Sequence, residues 1–236
     1  MCCESQKSRY EMNFIKKSLF LFLIQILFVS SINAQENSKW SLSKNKNGIK
    51  VYTRHTVDSP IKEVMGEMVL ETSLSSLVAV AKDAKNHSNW VYLNKYAYLL
   101  KELSNFEWFY YNESDAPWPV TNRDVVTHAK LSQDSTTYAI RINTTGVPDY
   151  MEKKEGIVRI LRLVSSWDFI PVKEDKILIR FKLFIDLGGN LPPWAINLAI
   201  DTGPYNTMYG MSNQIKLEKY KNAKLSFIRE KPLNKQ

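Results

Sequence analysis

The feature that most constrains the fold is an alternation of apolar and polar residues, with a period of two, that recurs between positions 94 and 186. In its last segment Ile177, Ile179 and Phe181 share one parity, while Arg180 and Lys182 share the other. Successive side chains of a β-strand point to opposite faces, so this pattern predicts strands with one apolar face. Short polar turns between the segments predict an antiparallel meander with that face inward.

The first part of the domain is expected to add strands and one helix. Strands are predicted at 40–56, with a hairpin turn at Asn47-Gly48, and at 61–71. A helix capped by Thr72 or Ser73 is predicted to end near residue 86, because apolar residues recur there at helical spacing.

The chain changes character again after Gly188-Gly189. Helical segments are expected at 191–201 and 205–221, with a break at Gly203-Pro204. The order of elements is therefore strands, a helix, many strands and a long C-terminal helix. This order predicts an α+β fold in which a curved antiparallel sheet wraps the terminal helix.

Residues 1–34 have the pattern of a secretory signal peptide. Lys16 and Lys17 precede an apolar run from Leu19 to Val29, and Ala34 lies just before a polar start. The run is shorter than the roughly 20 residues that span a bilayer. We therefore expect an exported protein, periplasmic or secreted, with an uncleaved membrane anchor as the alternative and Met12 as an alternative start. The mature domain is expected at 35–230, followed by a tail at 231–236.

Composition limits the chemistry that the expected mature domain can perform. Both cysteines, Cys2 and Cys3, lie in the leader, so that domain has no thiol for catalysis, disulfides or metal binding. The net charge of +8 is spread along the chain without a basic stripe interleaved with stacking aromatics, so nucleic acid binding is not expected. Transient attraction to anionic membrane surfaces and a plain solvated face are the two interpretations of this charge.

Several short motifs resemble one known family. Residues 117–124 read Pro-Trp-Pro-Val-Thr-Asn-Arg-Asp, which resembles the PWPxxxRD signature of the START (StAR-related lipid-transfer) family. Further landmarks follow in the family's order: Gly48 to Arg54, Asp83 with Trp90, Gly156 to Arg159 with Trp167 and Pro171, and Asp186 to Trp194. Together they cover about residues 40–222.

The resemblance implies the helix-grip fold, in which a curved antiparallel sheet closes on a long C-terminal helix around an internal apolar cavity. It also implies that the cavity binds and shields one lipid or similar apolar ligand, transferring it between membranes through a lid, with no cofactor. We expect a monomer and no enzymatic activity. An enzyme of hydrolase or cyclase type that uses the same cavity is the alternative, and a structural role with the cavity filled by side chains is a third hypothesis.

Eight residues are candidates for the cavity or its lid. Ordinary core packing is the competing interpretation for the buried ones, and a solvated outer face is favoured for the two arginines. The candidates are Trp108 and Tyr110 as lining, Trp118 as part of the lid, Arg141 and Arg180 as head-group contacts if they face inward, Trp194 at a gate, and Met208 and Met211 as adaptable wall residues.

Motifs for catalysis or metal binding are not visible. His55, His87 and His128 lie far apart and not at metal-binding spacing, and neither a GxSxG elbow nor a phosphate loop occurs. The sequence therefore predicts no catalytic residue, no metal site and no cofactor.

Overall fold

The computed structural model describes residues 39–173 and 175–232, which form one ten-stranded sheet and five helical segments. The expected leader at 1–34 lies outside the described residues. The strands are β1 (Ser41–Lys46), β2 (Ile49–Thr56), β3 (Ser59–Glu71), β4 (Asn94–Ser104), β5 (Glu107–Ser114), β6 (Arg123–Gln133), β7 (Ile140–Gly146), β8 (Val158–Arg159), β9 (Arg162–Lys173) and β10 (Lys176–Asp186). The helices are α1 (Leu74–Lys82), a 3-10 segment (Ala84–Asn89), α2 (Pro193–Ala199), α3 (Thr202–Gln214) and α4 (Glu218–Lys221).

Nine strands make one antiparallel path in the order β1-β2-β3-β10-β9-β7-β6-β5-β4. The short β8 pairs in parallel with the start of β6, at Arg123 and Asp124. The central neighbours β3 and β10 are far apart in sequence, and their pairing joins the N-terminal hairpins to the meander. This sheet and its C-terminal helix confirm the expected α+β helix-grip fold.

Turn and cap residues explain where the first elements begin and end. Asn47 and Gly48 both have positive φ angles, 52° and 74°, as the tight turn between β1 and β2 requires. Ser73 caps α1 by accepting a hydrogen bond from the Ser76 amide on its side-chain oxygen. The predicted single helix to residue 86 ends earlier, at Lys82, and continues as the 3-10 segment.

The C-terminal helical region differs from the prediction in its breaks. Gly203 and Pro204 do not interrupt a helix but lie in the first turn of α3, where proline is tolerated because its missing amide would have no helical partner. The interruption falls before them, at Ile200 and Asp201. The second predicted segment is also divided, because α3 ends at Gln214 and α4 is a separate short helix.

Helix α3 lies close against the sheet because two glycines remove side chains at the contact. A Cβ on Gly66 of β3 would overlap the sulfur of Met208, and a Cβ on Gly210 would overlap the backbone of Trp90. Both contacts hold α3 over the concave face, where the apolar residues of the strands form one core with α1 and α3. Helix α3 therefore covers the concave face so closely that no side chain fits at these two positions.

We expect Gly210→Ala to lower the free energy of unfolding by about 1–3 kcal/mol, because its new methyl group meets backbone that cannot move alone. Gly66→Ala is expected to cost less, because the atom it meets is near the end of a flexible side chain. Urea unfolding of both variants measures the difference.

The matched control is Gly203→Ala in the same helix, where the new methyl group would lie 3.7 Å from the Tyr92 ring, an ordinary contact. Alanine is the better helix former by about 1 kcal/mol, so this variant should be neutral or stabilised. Equal losses at positions 203 and 210 would contradict a close approach of α3 at Gly210.

Candidate functional site

The candidate site is the apolar interior between the concave face of the sheet and α3. Wide aromatic side chains lie at its centre. The rings of Trp167 and Phe181 stack with centroids 4.1 Å apart, and Trp90 meets Trp167 edge-on at 6.2 Å. From the helix side, Met208 and Met211 are both fully buried against this group. These predicted wall residues therefore do face the interior, as part of its core.

Trp108 and Tyr110 also face the interior, on β5, where they are buried beside α1. The Tyr110 hydroxyl donates a hydrogen bond of 3.0 Å to the carbonyl of Ala81 near the end of α1. Burial raises the pKa of Tyr110 well above its ordinary value, so the phenol stays protonated as this bond requires. Tyr110 thus anchors α1 to the sheet, and the ammonium group of Lys82 in α1 lies over the Trp108 ring at 4.5 Å. The role of both residues in binding remains a prediction.

His87 is a buried polar group in the same region, and no motif of the sequence singled it out. Its Nε2 lies 3.1 Å from the Ala81 carbonyl, and its Nδ1 lies 3.4 Å from the side-chain oxygen of Asn112. Its ring also meets the rings of Trp90 and Tyr110 edge-on. Burial lowers the pKa of His87, since the charged imidazolium would lose its hydration there.

Arg141 and Arg180 are not in the interior, which corrects their inclusion as head-group contacts. Each lies between two core residues of its strand, so strand alternation places both on the convex face. Arg141 binds Asp168 at 2.5 Å and Arg180 binds Glu67 at 2.7 Å. The outward orientation that the sequence favoured is the one observed.

Trp118 and Trp194 are exposed, by 93% and 71%. Trp118 lies in the loop between β5 and β6 and precedes a cis proline, Pro119. Trp194 lies in α2, where Leu198 is also exposed. The loop and the entry to α2 meet through β8, because the Val158 amide binds the Asn122 carbonyl while the Val158 side chain faces Gly189.

The two charged residues of the PWPxxxRD segment lie on opposite faces of β6. Asp124 points to the convex face and binds Arg159 through two bonds of 2.7 and 3.0 Å, with both side chains buried. The remaining Arg159 donors bind the carbonyls of Pro148, Met151 and Glu152, so all five N–H groups have partners. This pair fastens the 148–152 segment to the sheet.

Arg123 faces the interior and was not among the predicted site residues. It shares the parity of Ala129 and Leu131, which belong to the core, and only 5% of it is exposed. Its guanidinium donates to the Thr121 carbonyl, and its Nε has no partner within the described residues. The alternation along β6 was the signal in the sequence that could have identified it.

A groove of about 730 Å³ borders the interior at the C-terminal end of α3. Its apolar wall includes Leu70 and Ile215, which pack with the core, and Lys176, Lys216 and Lys221 stand around it. Within residues 39–173 and 175–232, no group of three or more histidine, cysteine or acidic side chains could hold a metal ion. In that same part of the chain, no helix is long and apolar enough to cross a membrane.

Comparison with known proteins agrees with this architecture. The START domain family model matches residues 28–213. The crystal structure of the STAR-related lipid transfer protein (fragment 25-204) from Xanthomonas axonopodis has 32% sequence identity and a TM-score of 0.71, covering 75% of this chain and 99% of that one.

Two animal proteins are also similar. The phosphatidylcholine transfer protein of Rattus norvegicus is 27% identical over 176 residues, which are 72% of this chain and 80% of that protein. Human StAR-related lipid transfer protein 5 has 16% identity and a TM-score of 0.68, covering 85% of this chain and 98% of that one. At that identity the human structure shows the fold alone.

We expect the buried His87 to make stability fall as the solution becomes acidic. Its pKa in the folded protein is below the ordinary 6.5, so below pH 6.5 the unfolded chain binds a proton more readily and unfolding is favoured. His87→Gln should therefore flatten the dependence of the free energy of unfolding on pH between about 6.5 and 5, by at most about 1.4 kcal/mol per pH unit.

The control is His55→Gln at an exposed position of β2, which should leave the pH dependence unchanged. Denaturant unfolding at four or five pH values measures all three proteins. If the free energy of unfolding depends on pH in the same way in the wild type and in His87→Gln, then His87 is protonated equally easily in the folded and the unfolded chain.

Proposed function

The chain belongs to the START domain family, and we propose that it binds a single lipid or other apolar molecule between the concave face and α3, and transfers it between membranes. Relatives named as lipid transfer proteins support this proposal, including the bacterial one at 32% identity. The observation that carries it is the composition of the interior, where wide aromatic rings face buried methionines.

Such an interior suits an apolar guest because it can rearrange. Methionine has three rotatable bonds and a polarizable sulfur, so Met208 and Met211 can repack around a ligand at small cost. Each ligand CH₂ that leaves water contributes about 0.8 kcal/mol, so a long acyl chain binds tightly with few directional contacts. The apolar part of the ligand is then selected chiefly by its shape.

The exposed tryptophans support contact with a membrane during loading. Trp118 and Trp194, with Leu198, present large apolar side chains to solvent on two segments that meet through β8. Tryptophan is favoured at the membrane–water interface because its ring is apolar and its N–H is polar. The full sequence has a net charge of +8, and about +6 remains without residues 1–34, which hold four basic and two acidic residues; this charge adds attraction to anionic lipid.

Opening is proposed at the α2–α3 junction. The helical ladder is interrupted at Ile200 and Asp201, and Asp201 binds Lys44 of β1 at 3.0 Å, an ion pair near the surface. An interrupted helix can bend at its break with little loss of hydrogen bonds. Movement of α2 with the Trp118 loop would then expose the interior at the membrane.

We propose that the protein acts outside the cytoplasm, because the leader at 1–34 has the features of a signal peptide. N-terminal sequencing of the protein recovered from its host, with cell fractionation, tests this placement. A mature chain that starts near Gln35 in the periplasm or medium is expected. An uncleaved chain in the membrane fraction would favour the anchor instead.

Native mass spectrometry of the protein purified gently from its own host, followed by lipid extraction, tests the binding function. We expect one apolar molecule per chain. A protein that is empty and takes up nothing from a mixed lipid panel would overturn the proposal. Chemical conversion of a captured molecule during incubation would support the enzymatic alternative.

The proposed membrane contact predicts that removal of the exposed tryptophans weakens binding to vesicles. Trp118→Ala and Trp194→Ala should each weaken binding to anionic vesicles about tenfold or more, and the double variant about a hundredfold or more, since each buried side chain contributes roughly 1.5–3 kcal/mol. Vesicle co-sedimentation measures the affinity. Leu103→Ala is the control and should bind normally, because Leu103 is an exposed residue near the end of β4, beside the start of β5 and far along that strand from the Trp118 loop. A double variant with unchanged affinity would exclude these two side chains from the contact.

A further inference from the structure

Arg123 is a charged side chain buried on the apolar face of the sheet. Val125 and Thr127 follow it on the same face of β6, and the core residues Ala129 and Leu131 continue that row. The turn at Gly188-Gly189 covers the guanidinium, since a Cβ on Gly189 would lie 3.8 Å from its Nη2. Both glycines have positive φ, 63° and 67°, so the turn passes over Arg123 without side chains.

Among the described residues, no acidic side chain neutralises the charge of Arg123. No carboxylate lies within 4.0 Å of its guanidinium among residues 39–173 and 175–232, and its buried Nε has no hydrogen-bond partner there. The guanidinium keeps one protein acceptor, the Thr121 carbonyl. Removal from water lowers the pKa of Arg123, which is the expected response of a buried cation without a counter-charge.

Arg159, on the neighbouring strand β8 that pairs with the start of β6, shows how a buried arginine is fully compensated. It is equally buried, but it has the Asp124 carboxylate and three carbonyls around it. Asp124 is adjacent to Arg123 in sequence, yet alternation directs it to the opposite face. Every donor of Arg159 thus has a partner. Among the described residues, Arg123 keeps unsatisfied donors, and they lie on the face of the sheet where the ligand is proposed to bind.

We propose that the ligand carries an anionic group, a phosphate or a carboxylate, and that Arg123 binds this group at the interior end of the Trp118 loop. The inference rests on the proposed function and names the chemical class of its ligand. Arg123 is suited to the task because a guanidinium presents two parallel N–H donors to two anion oxygens. The apolar tail would then extend along the concave face toward Trp167 and Met208.

The position of Arg123 also connects recognition with entry. It begins β6, directly after the loop that carries Trp118, and it lies beneath the turn that leads to α2 and Trp194. A lipid that enters at this end with its tail first would bring its head group to Arg123 last. Binding of the anion would then hold the loop and the turn together over the bound molecule.

The experiment compares two matched pairs of ligands by competitive fluorescence displacement: dioleoyl phosphatidate against dioleoylglycerol, and oleate against oleyl alcohol. Within each pair the apolar part is the same, so only the anionic group differs. We expect the wild type to prefer at least one anionic member by about 10–100-fold, the range for charge-assisted hydrogen bonds. The pair that shows the preference identifies the anion as phosphate or carboxylate.

Arg123→Met should abolish that preference and leave affinity for the neutral members within about twofold. Arg123→Lys should retain part of it, because lysine keeps the charge but lacks the fork. Arg229→Met is the control, since it removes the same charge at an exposed position near the opposite end of β6. Thermal unfolding of each variant separates lost binding from lost folding.

A wild type that binds neutral and anionic members equally would overturn the inference while lipid binding stands, and this result needs no variant. So would an Arg123→Lys or Arg123→Met protein that binds every ligand more weakly by the same factor, because Arg123 would then serve only the structure. Binding of neither pair, with no uptake of any lipid, would instead overturn the proposed function itself.

Discussion

The close contact of α3 with the concave face is the interaction on which the rest of the structure depends. Gly66 and Gly210 allow it, one by making room for the sulfur of Met208 and the other by admitting the backbone of Trp90. Larger residues at these positions would hold the helix away and expose the aromatic centre to water. Because the helix is held at two contacts over a broad apolar face, the same architecture provides both a packed core and a wall that can move.

Two buried arginines show how the same residue type serves stability and recognition. Arg159 has every donor satisfied and joins a loop to the sheet, so removal of its partner would leave a buried charge, at a cost of about 3–5 kcal/mol. Arg123 is held by a single backbone carbonyl within the described residues. Under the proposed anion binding, the unfavourable burial of Arg123 would be compensated when the anion binds, which would link ligand choice to closure.

Much of the fold was predictable because alternation and turn chemistry are local. The strand faces of β7 and β10 follow from the isoleucines at 140, 142, 177 and 179, and Asn47-Gly48 marks the first hairpin. The same alternation, applied to Arg141 and Arg180, favours the convex face that they occupy. The family motifs then ordered these elements into a helix grip, which periodicity alone does not determine.

The site was less predictable because it depends on contacts between distant segments. Arg123 stands beside Asp124, and adjacent opposite charges in a sequence suggest a pair, whereas alternation along β6 sends the two side chains to opposite faces. The burial of His87 depends on the carbonyl of Ala81 and on Asn112 of β5, which sequence spacing does not bring together. The position of the helical break depended on whether Pro204 ends one helix or begins the next, and both are compatible with its restricted φ.

The pairing of β3 with β10 has a consequence for how the chain acquires its structure. Glu71 pairs with Lys176 and Val64 with Leu183, so the partners are roughly 110 residues apart. Closing such a distance costs chain entropy before the contacts can repay it, and topologies rich in distant pairings fold slowly. The N-terminal hairpins can therefore join the meander only after β10, near the end of the domain, has been synthesised. Late closure of the sheet would keep the chain in a state that can be threaded through a membrane pore, as the proposed export would require.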